Sequence, residues 1–273
     1  MPQAAARYAI IGHPVAHSRS PEIHAEFARL TAQSMQYIRV DAAPWGFTAA
    51  LREFLGSGGV GVNVTLPFKE EAFGLCHVHT HRAKKTRAIN TISVGDDGKL
   101  MGDNTDGVGL VNDLKHNHQV VLKNARILLL GAGGAARGVL PALLTEKPAF
   151  VHIANRTPER AIKLANQHKA GRVSGSGFDS LRRQSFDVVI NATAASLAGE
   201  LPRLPHDCLN PGAACYDLAY SERPTVFMHW AVQEGAALVL DGWGMLVEQA
   251  AESFYVWRGI RPPTATLLAI HLP

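Results

Sequence analysis

One heptapeptide limits the fold of this chain more than any other: Gly131-Ala-Gly-Gly-Ala-Ala-Arg137, set between the uninterrupted apolar run 127–130 and a helical stretch reaching about residue 144. A strand without polar alternation belongs in a parallel sheet buried on both faces. Parallel neighbours need crossovers, so strands and helices must alternate around it. They do: 150–154 reads as a strand, 158–167 as a helix, and 186–191, 213–218 and 237–240 as further strands. This spacing predicts βαβ units. Gly131, Gly133 and Ala136 complete the pattern G-x-G-x-x-A. The first glycine permits the tight turn, the second lets backbone approach a pyrophosphate, and the third small residue lets helix and strand pack closely. Ala132, Gly134 and Ala135 fill the same corner, where free N–H groups and the helix dipole favour phosphate.

The next strand end bears on which dinucleotide is expected. An acidic residue about 20 positions on usually holds the ribose hydroxyls of NAD. This chain has Asn155-Arg156-Thr157, with Arg160 one turn later, and no acid. Two guanidinium groups and a hydroxyl suit the additional 2′-phosphate of NADP.

The N-terminal part carries a different set of elements. Residues 8–12 read as a strand ending in Gly12-His13-Pro14, and Ser20-Pro21 opens a helix with Ser20 a good N-cap. Strands follow at 37–40 and 60–65, a helix at 45–55, a helix opened by Pro67, and a hairpin of 88–94 with 99–102 around Asp96-Asp97-Gly98. Residues 106–116 and 245–258 read as helices. Three polar clusters fall at strand ends: Ser18-Arg19-Ser20, Asn63-Val-Thr65-Leu-Pro-Phe-Lys69, and Asp103-Asn104-Thr105-Asp106. Hydroxyls beside a helix N-terminus suit a carboxylate. Lys69 lies in a first helical turn, where a cation is unfavourable and a functional reason is expected. An amine beside a carboxylate can donate or accept the proton that accompanies carbonyl reduction, which makes Lys69 and Asp106 the candidate catalytic pair.

Composition excludes several classes. The 273 residues are 47% apolar and 18% charged, enough for a sizeable core in one large or two modest domains. The net charge of +4 is scattered, with no basic stripe interleaved with aromatics, so no nucleic-acid partner is expected. No run reaches the length of a membrane span and no signal peptide is read, so a cytoplasmic protein is expected. Cys76, Cys208 and Cys215 share no metal-binding spacing and read as reduced, buried thiols. His77, His79 and His81 lack a third ligand at a standard spacing, so no metal is expected; His77 and His81 read as one solvated helix face.

Together these motifs resemble the shikimate dehydrogenase family over nearly the whole chain. The matching segments are Ile11 to Pro21, Asn63-Val-Thr-Leu-Pro-Phe-Lys-Glu70, Ala88-Ile-Asn-Thr91, Gly102-Asp-Asn-Thr-Asp-Gly107, the Gly131 loop, Asn155-Arg-Thr157, Asn191-Ala-Thr193 and Asp241-Gly-Trp-Gly-Met-Leu-Val-Glu-Gln249. The resemblance implies NADP-dependent reduction of 3-dehydroshikimate to shikimate, in aromatic amino-acid biosynthesis. It implies Ser18 and Ser20 on the substrate carboxylate, with Tyr220 near it. Asn63, Thr65, Asn90, Asp106 and Gln249 would bind ring hydroxyls, and Lys69 with Asp106 would be the acid/base. Asn155, Arg156, Thr157 and Arg160 match the NADP phosphate clamp, Thr193 belongs to the cofactor set, and Gly242 and Met245 match the nicotinamide end. The implied fold is α/β in two domains, a substrate domain and a Rossmann-like NADP domain, with the active site in the cleft. The expected bounds are 1–104, completed by helices in 243–273, and 105–242. A monomer or homodimer is expected. The sequence departs from the family at Arg87, at Ala194-Ala195 and at Trp243. Other readings are a quinate/shikimate enzyme with relaxed cofactor use, a methylenetetrahydrofolate dehydrogenase/cyclohydrolase, which leaves Ser18, Ser20 and Asp106 unexplained, and a non-enzymatic NADP-binding regulator, against which the Lys69/Asp106 pair argues.

Overall fold

The computed structural model describes residues 5–168 and 171–270. The chain forms two compact units, one running to Leu110 and resuming at Leu246–Ile270, the other comprising Val111–Met245.

In the first unit, β1 (Ala6–Gly12) lies between β2 (Met35–Asp41) and β3 (Gly59–Val64), all parallel, with crossovers through α1 (Ser20–Leu30) and α2 (Phe47–Gly56). The chain then turns through α3 (Lys69–Leu75), β4 (Val78–His79) and α4 (His81–Thr86). The hairpin β5 (Thr91–Val94) and β6 (Leu100–Asp103) extends the sheet in antiparallel sense. The resulting order is β2-β1-β3-β5-β6-β4. Ile11, Val62 and Val64 of the central strands pack with Phe47, Leu51 and Phe54 of α2 and with Phe68. Because side chains alternate along a strand, Asn63 points to the opposite face from Val62 and Val64. The unit leads out through α5 (Asp106–Asn112).

The second unit is an open sheet of six parallel strands. β7 (Arg126–Leu130) enters α6 (Gly134–Thr145), and β8 (Phe150–Ala154) enters α7 (Pro158–Asn166). The remaining strands are β9 (Val173–Ser176), β10 (Phe186–Asn191), β11 (Leu209–Asp217) and β12 (Leu238–Leu240), with α8 (Val226–Gln233) before β12. The order β12-β11-β10-β7-β8-β9 reverses direction between β7 and β10. The carboxyl ends of strands at such a switch point form the crevice that takes ligands in doubly wound sheets. α9 (Trp243–Arg258) and α10 (Ala265–Ala269) close the chain.

Several sequence expectations need correction. Ser20 is the first helical residue of α1 and caps nothing; Arg19 holds the cap position, and the Ser20 N–H instead donates to Ser18 Oγ at 3.3 Å. Trp45 precedes its helix, with φ of 70°, because the turn at Ala43–Gly46 takes up the chain before Phe47. The helix expected over 106–116 changes after Asn112 to a π turn at Asp113–Asn117. The three histidines share no helix face. His77 precedes the β4 edge strand, where its ring takes the Leu100 N–H, His79 ends that strand, and His81 opens α4. β9 and α8 escape sequence reading. β9 is a short polar edge whose Gly175 lies against the backbone of Ala161, so its packing leaves no apolar pattern to read.

Candidate functional site

In the first unit, Lys69 is the first residue of α3 and Asp106 the first of α5. Lys69 Nζ donates to Asp106 Oδ2 at 2.6 Å, with both side chains largely buried. An anion at a helix start is favoured and a cation there is not, so the pair relieves the misplacement of Lys69. Asp106 Oδ1 accepts from Asn90 Nδ2 at 2.7 Å. The same amide reaches Gln249 Oε1 at 3.1 Å and Thr105 Oγ1 at 2.8 Å, while Asn90 Oδ1 takes the Thr105 N–H at 2.9 Å. The structure thus brings Lys69, Asn90, Asp106 and Gln249 into one hydrogen-bonded cluster, in which one amide fixes both the carboxylate and a second amide.

Asn63 is committed inward. Its Nδ2 faces Asn90 O, Thr91 Oγ1 and Ser253 Oγ at 3.0–3.2 Å, and its Oδ1 takes the Tyr37 hydroxyl at 2.7 Å. Ser18 and Ser20 lie side by side with hydroxyls 3.2 Å apart, both buried, and the Arg39 guanidinium grips the Ser18 carbonyl at 2.6 and 2.8 Å. Thr65 follows β3 beside Gly12, whose bare Cα is needed because a side chain there would collide with the Thr65 methyl. Ser253 escaped sequence reading and bridges Thr91 and Thr105, while Asn104, already read in the 103–106 polar cluster, takes the Asp106 N–H on its Oδ1 at 3.1 Å. Ser253 stands four residues after Gln249, so helical spacing was the available signal. Beneath them, burial alone would raise the Asp103 carboxyl, but hydrogen bonds from Arg82 and Thr80 outweigh this and hold it below the usual carboxylate range.

In the second unit, the loop after β7 and the turn after β10 meet at the switch point. Gly131 has φ of +101°, and a Cβ there would sit 2.8 Å from Ala192 O. Gly133 precedes the helical start of α6 and faces open space, so a phosphate can approach its backbone. Ala132 is buried at the turn, Gly134 and Ala135 form the first residues of α6, and Ala136 is fully buried against the strand. At the end of β8, Asn155 Nδ2 bonds Thr157 O at 2.9 Å, and Arg156, Thr157 and Arg160 all face solvent at the start of α7. The Thr157 hydroxyl makes no cap to α7 and stays available. This open Gly133 corner and the exposed guanidinium pair fit the phosphates of NADP. Thr193 is held by Asn191 Oδ1, which accepts both its N–H at 3.1 Å and its hydroxyl at 2.7 Å. Asn191 in turn donates to Asp217 at 3.1 Å, and Ser196 and Thr225 each donate to Asp217 at 2.6 Å. Desolvation raises the Asp217 carboxyl against these hydrogen bonds. Tyr220 meets Trp243 edge to face at 6.4 Å, and Gly242 N donates to Ala219 O at 2.9 Å. Met245 is buried near the start of α9. Among the described residues, no group of three His, Cys, Asp or Glu side chains could hold a metal ion. No helix there is long and apolar enough to cross a membrane.

A dinucleotide corner at a switch point and a buried Lys–Asp pair define a nicotinamide-dependent oxidoreductase of the α/β class. Family comparison makes the assignment specific. Residues 10–92 match the shikimate dehydrogenase substrate binding domain, 113–199 the shikimate / quinate 5-dehydrogenase family, and 242–269 the shikimate 5′-dehydrogenase C-terminal domain. The chain belongs to the shikimate dehydrogenase family. It is 53% identical over 268 residues to the shikimate dehydrogenase (NADP(+)) of Alkalilimnicola ehrlichii, covering 98% of each chain. Among solved structures, an Ael1 enzyme from Pseudomonas putida superposes with a TM-score of 0.92 at 43% identity, covering 98% of this chain and 99% of that one. Shikimate 5-dehydrogenase from Thermus thermophilus, solved with NADP(H) and shikimate, gives 0.85 at 32% identity, with coverage of 96% and 97%.

Proposed function

We infer that this chain catalyses the reversible NADP-dependent reduction of 3-dehydroshikimate to shikimate, the step named for its relatives. The carrying observation is the Lys69–Asp106 contact of 2.6 Å, braced by Asn90 within hydrogen-bonding reach of Gln249. When bound, the reduced nicotinamide supplies a hydride to the ketone carbon. The carbonyl oxygen then needs a proton, which the coupled Lys69/Asp106 pair supplies and recovers in the reverse direction. Asp106 also keeps Lys69 aimed, and Asn90 stops the Asp106 carboxylate from rotating. The paired Ser18 and Ser20 hydroxyls take the substrate carboxylate. Asn63, Thr65, Asn90, Asp106 and Gln249 read the ring hydroxyls, and Tyr220 is a further substrate-binding group.

NADP is held by Gly131, Ala132, Gly133, Gly134 and Ala135 at its pyrophosphate. Asn155, Arg156, Thr157 and Arg160 hold its 2′-phosphate, and Thr193, Gly242 and Met245 line its remaining length. Residues 1–104 with 243–273 act as the substrate domain and 105–242 as the cofactor domain. We place the protein in the cytoplasm, as a monomer or homodimer; its three free, buried cysteines accord with a reducing compartment.

The test is turnover: purified protein with shikimate or quinate, and NADP or NAD, followed by reduced-cofactor absorbance. Shikimate with NADP is expected to give the highest kcat/KM, and no turnover with that pair would overturn the reading. The shikimate / quinate description of residues 113–199 supports a second reading, relaxed substrate and cofactor use, which would appear as comparable rates with quinate and NAD.

A further inference from the structure

The proposed nicotinamide end rests on a turn, Gly242 to Met245, two of whose supports lie outside every motif used above. One support is backbone: a Cβ on Gly242 would fall 2.2 Å from Leu218 O, so the turn lies flush on the chain leaving β11. The other is a buried pair, Asp113 and Tyr216. The Met245 N–H donates to Tyr216 Oη at 3.1 Å, and Tyr216 Oη donates its own proton to Asp113 Oδ2 at 2.7 Å. These directions are forced. A backbone N–H can only donate, so the phenol must accept there and spend its single proton on the carboxylate. Asp113 Oδ1 is fixed separately by Asn117 Nδ2 at 2.8 Å, across the π turn, with His118 Nε2 3.6 Å away. Gly244 lies directly over this carboxylate, where a Cβ would come within 2.1 Å of Asp113 Oδ1. Thus a carboxylate, fully buried with its tyrosine, lies under the start of the 16-residue α9, where free N–H groups and the helix dipole favour negative charge. Burial, reinforced by the Asp113 charge, pushes the Tyr216 phenol well above its ordinary range, so it stays protonated as this geometry requires.

We propose that Asp113 and Tyr216 are positioning residues that hold the Gly242–Met245 turn in the conformation that receives the nicotinamide ring. This rests on the NADP reading above. Neither side chain touches the cofactor or the substrate; both act through the Met245 amide and the bare Gly244.

The test compares two ligands of the full-length protein: NADP, and 2′,5′-ADP, which carries the phosphate end but no nicotinamide. In Tyr216→Phe the Met245 N–H and Asp113 Oδ2 both lose a buried partner, which corresponds to about a tenfold effect. NADP is expected to bind about tenfold more weakly, and kcat to fall by a similar factor, while the Kd for 2′,5′-ADP stays unchanged. Should Tyr216→Phe not fold, Asp113→Asn, which preserves shape but removes the charge, is read by the same pair of titrations. Parallel weakening of both ligands would show a merely structural role and overturn the proposal, as would unchanged NADP affinity and kcat. Failure of the wild-type protein to bind 2′,5′-ADP would instead sink the NADP reading itself.

Discussion

Lys69 and His24 show how far burial and partners alter single residues. Lys69 stands at a helix start that disfavours it, and its ammonium is retained by one carboxylate. Lys69→Ala is expected to lower kcat by about 10²–10⁴, the usual contribution of a positioned acid/base, with shikimate affinity largely intact. Rapid-quench turnover and a fluorescence titration measure the two separately; a loss confined to affinity would make Lys69 a binding residue. His24 is fully buried and stacked on Tyr37 at 4.3 Å. Burial drives its pKa down to about 3. The unfolded chain, with histidine near 6.5, then binds the additional proton between those values, so the stability His24 contributes is complete above pH 6.5 and is lost progressively as pH falls toward 3. Between pH 6.5 and 5 the wild type should lose about 2 kcal/mol more than His24→Phe, at up to about 1.4 kcal/mol per pH unit. Urea unfolding at the two pH values checks this, and equal losses would show that His24 titrates normally.

At the scale of elements, the proposed cofactor contacts fall at two helix starts, α6 and α7. The α6 corner has no side chain to clash with a phosphate, and a Cβ at Gly131 would press on Ala192 O in a backbone region disfavoured for any other residue. Gly131→Val should therefore weaken NADP and NAD alike, by distorting both the loop and the turn after β10. The α7 corner differs, because Arg156 and Arg160 are exposed there and free to answer to a ligand. Arg156→Ala should weaken NADP by about 10-fold or more while leaving NAD nearly unaffected, as expected for loss of a charge-assisted hydrogen bond. Isothermal titration of both cofactors decides it; equal effects would show that Arg156 does not read the 2′-phosphate.

On the scale of the whole molecule, the chain leaves its first unit after Leu110 and returns at Leu246. Arg82 ties the returning chain to the first sheet: it bonds Asp103 at the end of β6 at 2.5 Å and Glu252 of α9 at 2.6 Å, and Arg261 also pairs with Glu252. Arg82→Ala would leave a buried Asp103 without its cation and should cost about 3 kcal/mol, read by denaturant unfolding, whereas a loss below about 1 kcal/mol would make the network incidental. The α/β class, the parallel strands around β7 and the dinucleotide corner were legible in the sequence. Apolar runs and glycines record strictly local demands: burial on both faces, and room for a backbone that must bend. Lys69 was suspect for the same reason, since its conflict with the helix dipole is local. The Asn90 hub, the inward commitment of Asn63, and the Asp113–Tyr216 support under Met245 were not legible. They join residues up to 190 positions apart, and whether a polar side chain faces a ligand, a neighbour or a helix end depends on which distant donors and acceptors packing brings within about 3 Å.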